Sequence, residues 1–390
     1  MQNSNNQYDI IIAGAGCAGL SLAWHIIKYT GNQYRILILD SSLKSQNQKT
    51  WCFWDTEFLP EPVQIYKSWE KISFSSESAS KTESLSETKY HCVRSIDYSH
   101  ALIHNLKEHS NITWIEAEIR GIDDQPLYGE VQTADQNYYA KFVFQSILKR
   151  KTSDEHQLKQ HFLGWEIACH KPQFNPESVM LMDFNTDQNG ATAFMYVLPF
   201  SDRKALFEYT LFSPSLLSEN LYENEIIKYL KSRYQLNRED FDIYRVEKGV
   251  IPMALSEPNQ TVSSKHVYMI GQVSGLTKPT TGYTFSRIHR MSDQIAQSLA
   301  NNEPIQTEQS GQKRFRFYDL LLLHILKNNP EASLKIFPAL FKKNSIENIL
   351  LFLDEKTDVV DDLKLLLQLP FKPFLRAIYD NRSLLLKNNY

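Results

Sequence analysis

The chain has 390 residues, 42% of them hydrophobic and 22% charged, with a formal net charge of -3. These values exclude a disordered chain and a polytopic membrane protein, they supply no basic field for nucleic acid, and the length points to two closely packed lobes. The four cysteines, Cys17, Cys52, Cys92 and Cys169, stand apart without a CxxC pair, which fits structural thiols in a reducing compartment rather than a zinc site.

Met1 to Asp9 is polar and carries no Lys or Arg, so the apolar stretch after it lacks the basic flank of a signal peptide and a cytoplasmic location is expected. That stretch, Ile10 to Ile27, is long enough to raise a transmembrane reading. Its glycines argue for a strand, a tight turn and a helix instead: an Ile-rich strand over Tyr8–Ala13, then a helix over Ala18–Tyr29 that ends at Gly31 and Asn32. Tyr34–Asp40 follows as a second strand, completing a βαβ unit with a parallel sheet. Gly14-x-Gly16-x-x-Gly19 lies between strand and helix, where glycine lets the backbone turn sharply and approach a pyrophosphate at the helix N-terminus. Asp40, at the end of the second strand, is the expected ribose ligand. A dinucleotide is thereby implied, although the fingerprint alone does not separate FAD from NAD.

Trp69–Tyr90, crowded with Ser, Thr, Glu and Lys, reads as a surface hairpin or solvated loop. Asp97–His109 reads as a helix whose His100 and His104 share a face, but HALIH lacks the glutamate of a zincin helix and no metal is expected. Ala140–Ile147 returns as a strand to the first sheet. From His161 the β-rich runs Ser178–Asp183, Ala193–Leu198 and Lys204–Thr210 suggest a mainly antiparallel second lobe. His266–Gly271 reads as a further buried strand, followed by a Gly- and Thr-rich loop and a helix over about Tyr283–Leu299. From Lys313 onward the pattern is helical, with leucine-rich faces at Leu320–Leu326, Ile346–Leu353 and Leu363–Leu369. The expected fold class is α/β: a Rossmann-type dinucleotide-binding lobe from residues 1–150 and 260–310, a mainly antiparallel β substrate lobe over 151–259, and a helical region over 311–390.

Five segments carry a resemblance: Gly14–Leu20 (GAGCAGL), Thr50–Trp54 (TWCFW), Phe162–Ile167 (FLGWEI), Leu206–Thr210 (LFEYT) and Gly271–Phe285 (GQVSGLTKPTTGYTF). In this order, over about residues 8–300, they resemble the lycopene beta-cyclases of carotenoid biosynthesis. The resemblance implies a fold like glutathione reductase, flavin monooxygenases and geranylgeranyl reductases, with FAD bound noncovalently and kept reduced by NAD(P)H. It also implies lycopene and γ-carotene as substrates, whose acyclic ends become β-rings without net redox change. Glu208 sits where this family carries the first glutamate of its FLEET-like motif and is the implied acid/base; the second acid is replaced by Tyr209. A carboxyl in an apolar pocket has a raised pKa, which would keep Glu208 protonated near neutral pH.

The loop resembles the segment that closes over the flavin, so Gly271, Gln272, Gly275, Thr280 and Gly282 are expected at the cofactor, with Gln272 standing where many related flavoproteins carry Asp. Trp51, Phe53, Trp54, Trp165, Phe194 and Tyr196 fall near the expected site, where aromatic faces attract a developing cation and also serve as ordinary core. Lys313–Tyr390 holds 13 Lys or Arg against 9 Asp or Glu, and its basic, leucine-rich helices suit peripheral docking at the inner face of the cell membrane, with Phe371-Lys372-Pro373-Phe374 as a dipping loop. Two other readings stand beside the cyclase: an FAD-dependent monooxygenase or prenyl/carotenoid reductase on the same fold, and a non-catalytic carotenoid or flavin carrier.

Overall fold

A computed structural model describes residues 6–43, 49–147, 157–255, 265–305 and 313–387. The lobe boundaries expected near residues 150, 260 and 310 lie outside the described residues. In chain order the elements are β1 (Gln7–Ala13), α1 (Cys17–Thr30), β2 (Ile36–Asp40), β3 (Thr50–Phe53), β4 (Lys67–Trp69), β5 (Lys71–Ser76), β6 (Ala79–Ser84), β7 (Tyr90–Arg94), α2 (Ser95–Leu106), β8 (Ile112–Glu116), β9 (Ile119–Asp124), β10 (Gly129–Thr133) and β11 (Asn137–Gln145). Then come β12 (Lys159–Cys169), β13 (Ser178–Asp183), β14 (Thr192–Pro199), β15 (Lys204–Ser213), α3 (Glu219–Tyr234), β16 (Phe241–Pro252), β17 (Val267–Met269) and α4 (Phe285–Asn301). The chain continues as α5 (Lys313–Asn328), α6 (Ser333–Lys343), α7 (Ile346–Leu353), α8 (Val359–Leu366), α9 (Phe371–Asp380) and α10 (Arg382–Lys387).

The first sheet runs β8-β2-β1-β11-β10-β9, with β17 also paired to β11. Strands β8, β2, β1, β11 and β17 pair in parallel, and β10 and β9 extend the sheet antiparallel. Ile10–Ala13 and Ile36–Leu39 are buried without interruption, as parallel strands covered on both faces require. The apolar run Ile10–Ile27 is thus divided between β1 and α1, and no described helix is long and apolar enough to cross a membrane. The segment 266–271 departs from the expected buried strand: β17 has three residues, with Met269 exposed and burial resuming only at Ile270 and Gly271 beyond it.

The second sheet runs β16-β12-β15-β14-β13-β5-β6 and is antiparallel except at β13–β5. Its last two strands come from residues 71–84, so the polar segment after Trp69 is a hairpin at the edge of this sheet. One face packs on α3 through Leu163, Trp165, Phe207 and Tyr209 against Tyr222, Ile226 and Leu230. The other face looks toward β3, β7 and the C-terminal helices, and the small sheet β3-β7-β4 bridges the two large ones. Antiparallel alternation decides which residues share that face.

Candidate functional site

A cavity of about 990 Å³ runs from the N-terminus of α1, across the second sheet, to α5–α9. At its first end lie Ala15, Gly16, Cys17, Asp40, Gly271 and Gln272. Gly14 adopts φ +108°, and a Cβ there would stand 2.3 Å from Ser146 Oγ. A Cβ on Gly19 would stand 1.8 Å from the Gly14 carbonyl oxygen, so helix and turn touch backbone to backbone. Gly16 differs: nothing lies within 4 Å of its Cβ position, which projects into open space in the cavity wall. Gly16 is also the N-cap of α1 and no side chain caps this helix, which leaves its first N–H groups available to an anion. Burial pushes the Cys17 thiol up to about 12, so no thiolate charge opposes one. Asp40 accepts from the Ala15 N–H at 2.6 Å and the Ser42 N–H at 3.0 Å, and its carboxylate retains lone pairs for hydroxyl donors.

The loop residues divide. Gly271 (φ +68°) approaches Ala18 so closely that a Cβ would lie 2.8 Å from the alanine's own, while Gln272 and Gly282 line the cavity. Thr280 lines it too, but its hydroxyl donates to Asp319 on α5 at 2.6 Å. Beside it Lys278, 2% exposed, bridges Asp319 at 3.2 Å and Glu355 at 3.0 Å, which locks the loop to the C-terminal helices. Gly275 lies outside the cavity lining; its left-handed conformation, φ +80°, ends the short helical turn that starts at Gly271.

Midway along the cavity, Glu208 rises from β15. Its neighbours across the sheet are Tyr196 on β14 and Gly164 on β12, and Glu247 on β16 follows beyond Gly164. The missing side chain at Gly164 is what makes room, because a Cβ there would meet Glu208 Cγ at 2.6 Å. Burial, then the nearby Glu247, holds the Glu208 carboxyl well above the usual carboxylate range. No described side chain or backbone group hydrogen-bonds to it. Tyr90 and Tyr196 exchange a hydroxyl hydrogen bond at 3.0 Å beside it. Burial raises both phenols well above 10 and pushes Tyr283 up to about 12, so all three stay neutral.

Tyr209 points the other way. Strand alternation puts it on the α3 face, where its hydroxyl donates to the Asp187 carbonyl and accepts from Asn189. The replacement of the motif's second acid therefore takes no carboxylate out of the cavity. Trp165 also faces α3, Phe53 packs on Phe285, and Trp54 packs edge-on against Tyr283; Trp51, Phe194 and Tyr196 line the cavity.

Glu247 escaped the reading of the sequence. It is 2% exposed and accepts from Thr50 N at 2.7 Å, Thr50 Oγ1 at 2.8 Å and Arg245 Nη1 at 2.7 Å. The available signal was the alternation Arg245, Glu247, Gly249 along one strand face, set opposite Glu166, Gly164 and Phe162. Past this cluster the wall is aromatic and aliphatic, with Phe317, Phe337, Phe341, Leu366 and Phe374 from the helices.

This arrangement suits a long apolar ligand beside a cofactor that carries a diphosphate. The lycopene cyclase protein family matches residues 9–379 of the chain. Lycopene beta-cyclases of Paracoccus sp. (strain N81106 / MBIC 01143) and Pantoea ananas are each 23% identical to it, covering 74% of this chain and 73% and 74% of their own lengths. Among solved structures, a geranylgeranyl bacteriochlorophyll reductase-like protein of Thermoplasma acidophilum superposes with a TM-score of 0.59 at 12% identity over 97% of this chain and 99% of its own. A flavoprotein/dehydrogenase of Cytophaga hutchinsonii gives 0.59 at 11% identity over 92% and 94%, and the halogenase PltM 0.55 at 14% over 92% and 83%. The α/β architecture is thus a Rossmann-type flavoprotein fold, and the chain belongs to the lycopene cyclase family.

Proposed function

We propose that the protein is a lycopene beta-cyclase, an isomerase that binds FAD, uses it in the form reduced by NAD(P)H, and closes the acyclic ends of lycopene to β-rings by way of γ-carotene. The observation that carries this reading is an unpaired, buried carboxyl, Glu208, set in the middle of a cavity that is apolar on one side and open to a helix N-terminus on the other. A non-catalytic carotenoid or flavin carrier has no use for such a proton donor.

Gly14, Gly16 and Gly19 shape the cradle for the FAD pyrophosphate, Asp40 takes the ribose, and Gly271, Gln272 and Gly282 border the remainder of the cofactor. Gly275 and Thr280 support that border from behind, through the turn and through Asp319. When bound, reduced FAD supplies negative charge that stabilises a carbocation. The chain's own residues do the rest. Glu208 gives its proton to the terminal double bond of the polyene, the neighbouring alkene captures the tertiary cation, and loss of a ring proton restores neutrality. Tyr196, Trp51 and Phe194 offer neutral faces to the cation and exclude water that would trap it.

Substrate arrival is proposed through the C-terminal helices. Phe371, Phe374 and Leu375 of α9 line the cavity, and Phe371, Leu375 and Tyr379 of the same helix are exposed. An apolar helix shared by cavity and surface supports peripheral contact with a bilayer that holds the carotene, at the inner face of the cell membrane. The test is anaerobic incubation of the protein with FAD, NADPH and lycopene in liposomes. γ- and β-carotene without stoichiometric NADPH consumption is expected; unchanged lycopene, or products that consume NADPH mole for mole, would replace this reading with the reductase one.

A further inference from the structure

Four charged side chains form a chain beside the cavity, Arg94 from β7 and the other three from the second sheet. Arg94 Nη2 donates to Glu166 Oε1 at 2.5 Å, Arg245 Nε to Glu166 Oε2 at 3.1 Å, and Arg245 Nη1 to Glu247 Oε2 at 2.7 Å. Arg245 Nη2 also donates to Thr50 Oγ1 at 2.7 Å, and Thr50 in turn donates twice to Glu247. Two guanidinium groups are thus matched to two carboxylates. Glu208, separated from Glu247 only by the space above Gly164, is the fifth charge-bearing group and has no cation left to pair it.

We propose that Glu247 is the positioning residue for Glu208: clamped by Thr50 and Arg245 and facing Glu208 across the side-chain-free Gly164, it is the fixed negative charge that keeps a proton on the Glu208 carboxyl until an alkene takes it. The role within catalysis rests on the cyclase reading above. In the reaction the Glu208 O–H bond breaks as a C–H bond forms at the terminal alkene carbon, and the π pair of the next alkene makes the ring C–C bond. A ring C–H bond then breaks and returns its proton to Glu208, leaving no net change. During the cationic interval Glu247 already stands as an anion in a dry site, where its field is strong and needs no reorganisation. The raised proton affinity of Glu208 agrees with this placement. The other titratable groups facing Glu208 are Tyr196 from β14, Cys52 from β3, Tyr90 from β7 and Tyr283 from the loop.

A purely structural explanation competes: the network also ties the TWCFW strand to the second sheet. The two are separated by infrared spectroscopy of the full chain loaded with FAD, following the carbonyl stretch of a protonated carboxylic acid across pH. The band belonging to Glu208 is identified by its loss in Glu208→Gln. In Glu247→Gln the pH at which this band disappears should fall by about one unit or more, since a like charge has been removed. In Arg245→Gln it should rise, since a cation has been removed. The alkaline limb of cyclisation should move the same way in each variant, with kcat changing more than KM. Mere loosening of the strand would push both variants in one direction. An absent Glu208 band at neutral pH, or a band that titrates alike in wild type and in whichever variant folds, would overturn the assignment. The band needs no substrate, so failure to cyclise lycopene would remove the functional reading while leaving the pairing of Glu208 with Glu247 measurable.

Discussion

The α1 end of the cavity and its middle differ in what builds them. The end at α1 is made of backbone: three glycines within six residues, an uncapped helix start and one carboxylate, with side chains excluded by contact distances as short as 1.8 Å. The middle is made of side chains brought together from positions 52, 196, 208 and 247, and glycine enters it by making room, at Gly164 beneath Glu208. A site defined by what must be absent tolerates almost no substitution and occupies one short stretch of chain. A site defined by charges in register tolerates conservative changes but depends on every strand in between.

The sharpest way to test that contrast is at the glycines themselves. Gly19→Ala puts a methyl group into the Gly14 carbonyl, and no flexible side chain is there to yield. A cost of about 3 kcal/mol or more is expected, with thermal unfolding shifted down and flavin lost on purification. Gly16→Ala adds the same methyl group where nothing lies within 4 Å; its melting temperature without flavin should match the wild type, while FAD affinity falls. Equal destabilisation by both would show that the turn, rather than the open cradle, sets the requirement at Gly16.

This contrast also explains what could be read from the sequence. The βαβ unit was legible because its rules are local: Ile-rich strand, glycine spacing and a terminal acid lie within thirty-odd consecutive residues, and β1, α1 and β2 match the expected strands and helix to within two residues. Glu208 was legible only through its motif. Glu247 was not, because its importance comes from standing two strands away across Gly164, a relation that depends on register and not on neighbours in sequence. The same gap made Tyr209 look like a missing acid. Alternation along β15 had already placed it on the opposite face, yet which face carried the cavity is decided by α3 covering the other. The three-residue β17 fell short of its apolar pattern because it pairs only with the last third of β11.

A smaller effect on stability, with a large one on activity, is expected at Glu208. Glu208→Gln should lower turnover about a hundred- to ten-thousand-fold, the usual worth of a positioned proton donor. Its stability should move in the opposite sense. The folded-state pKa of Glu208 is raised above its ordinary 4.5, so the wild type has its full stability below that value and loses about 1.4 kcal/mol per pH unit as pH climbs from there to the folded-state value. The glutamine does not titrate, and denaturation curves of wild type and variant should diverge with rising pH in favour of the variant. Parallel curves across that range would mean that Glu208 is solvated like a surface carboxylate, and the middle of the cavity would lose its acid.

The mildest change probes the other face of the same strand. Tyr209→Phe removes a hydroxyl that donates to the Asp187 carbonyl and accepts from Asn189, and it leaves the ring packed among Phe207, Leu211 and Tyr222. Losing these bonds beneath α3 should cost about 1–3 kcal/mol, seen as a lower denaturation midpoint with an unchanged denaturant dependence. Turnover per folded molecule should stay at the wild-type value, with the same pH profile, because a full strand thickness separates this hydroxyl from Glu208. A shifted pH profile in Tyr209→Phe would show that the two faces of β15 are coupled. The acid at position 208 would then owe its protonation to the α3 side as well as to Glu247, and the division of the strand into a structural face and a chemical face would have to be abandoned.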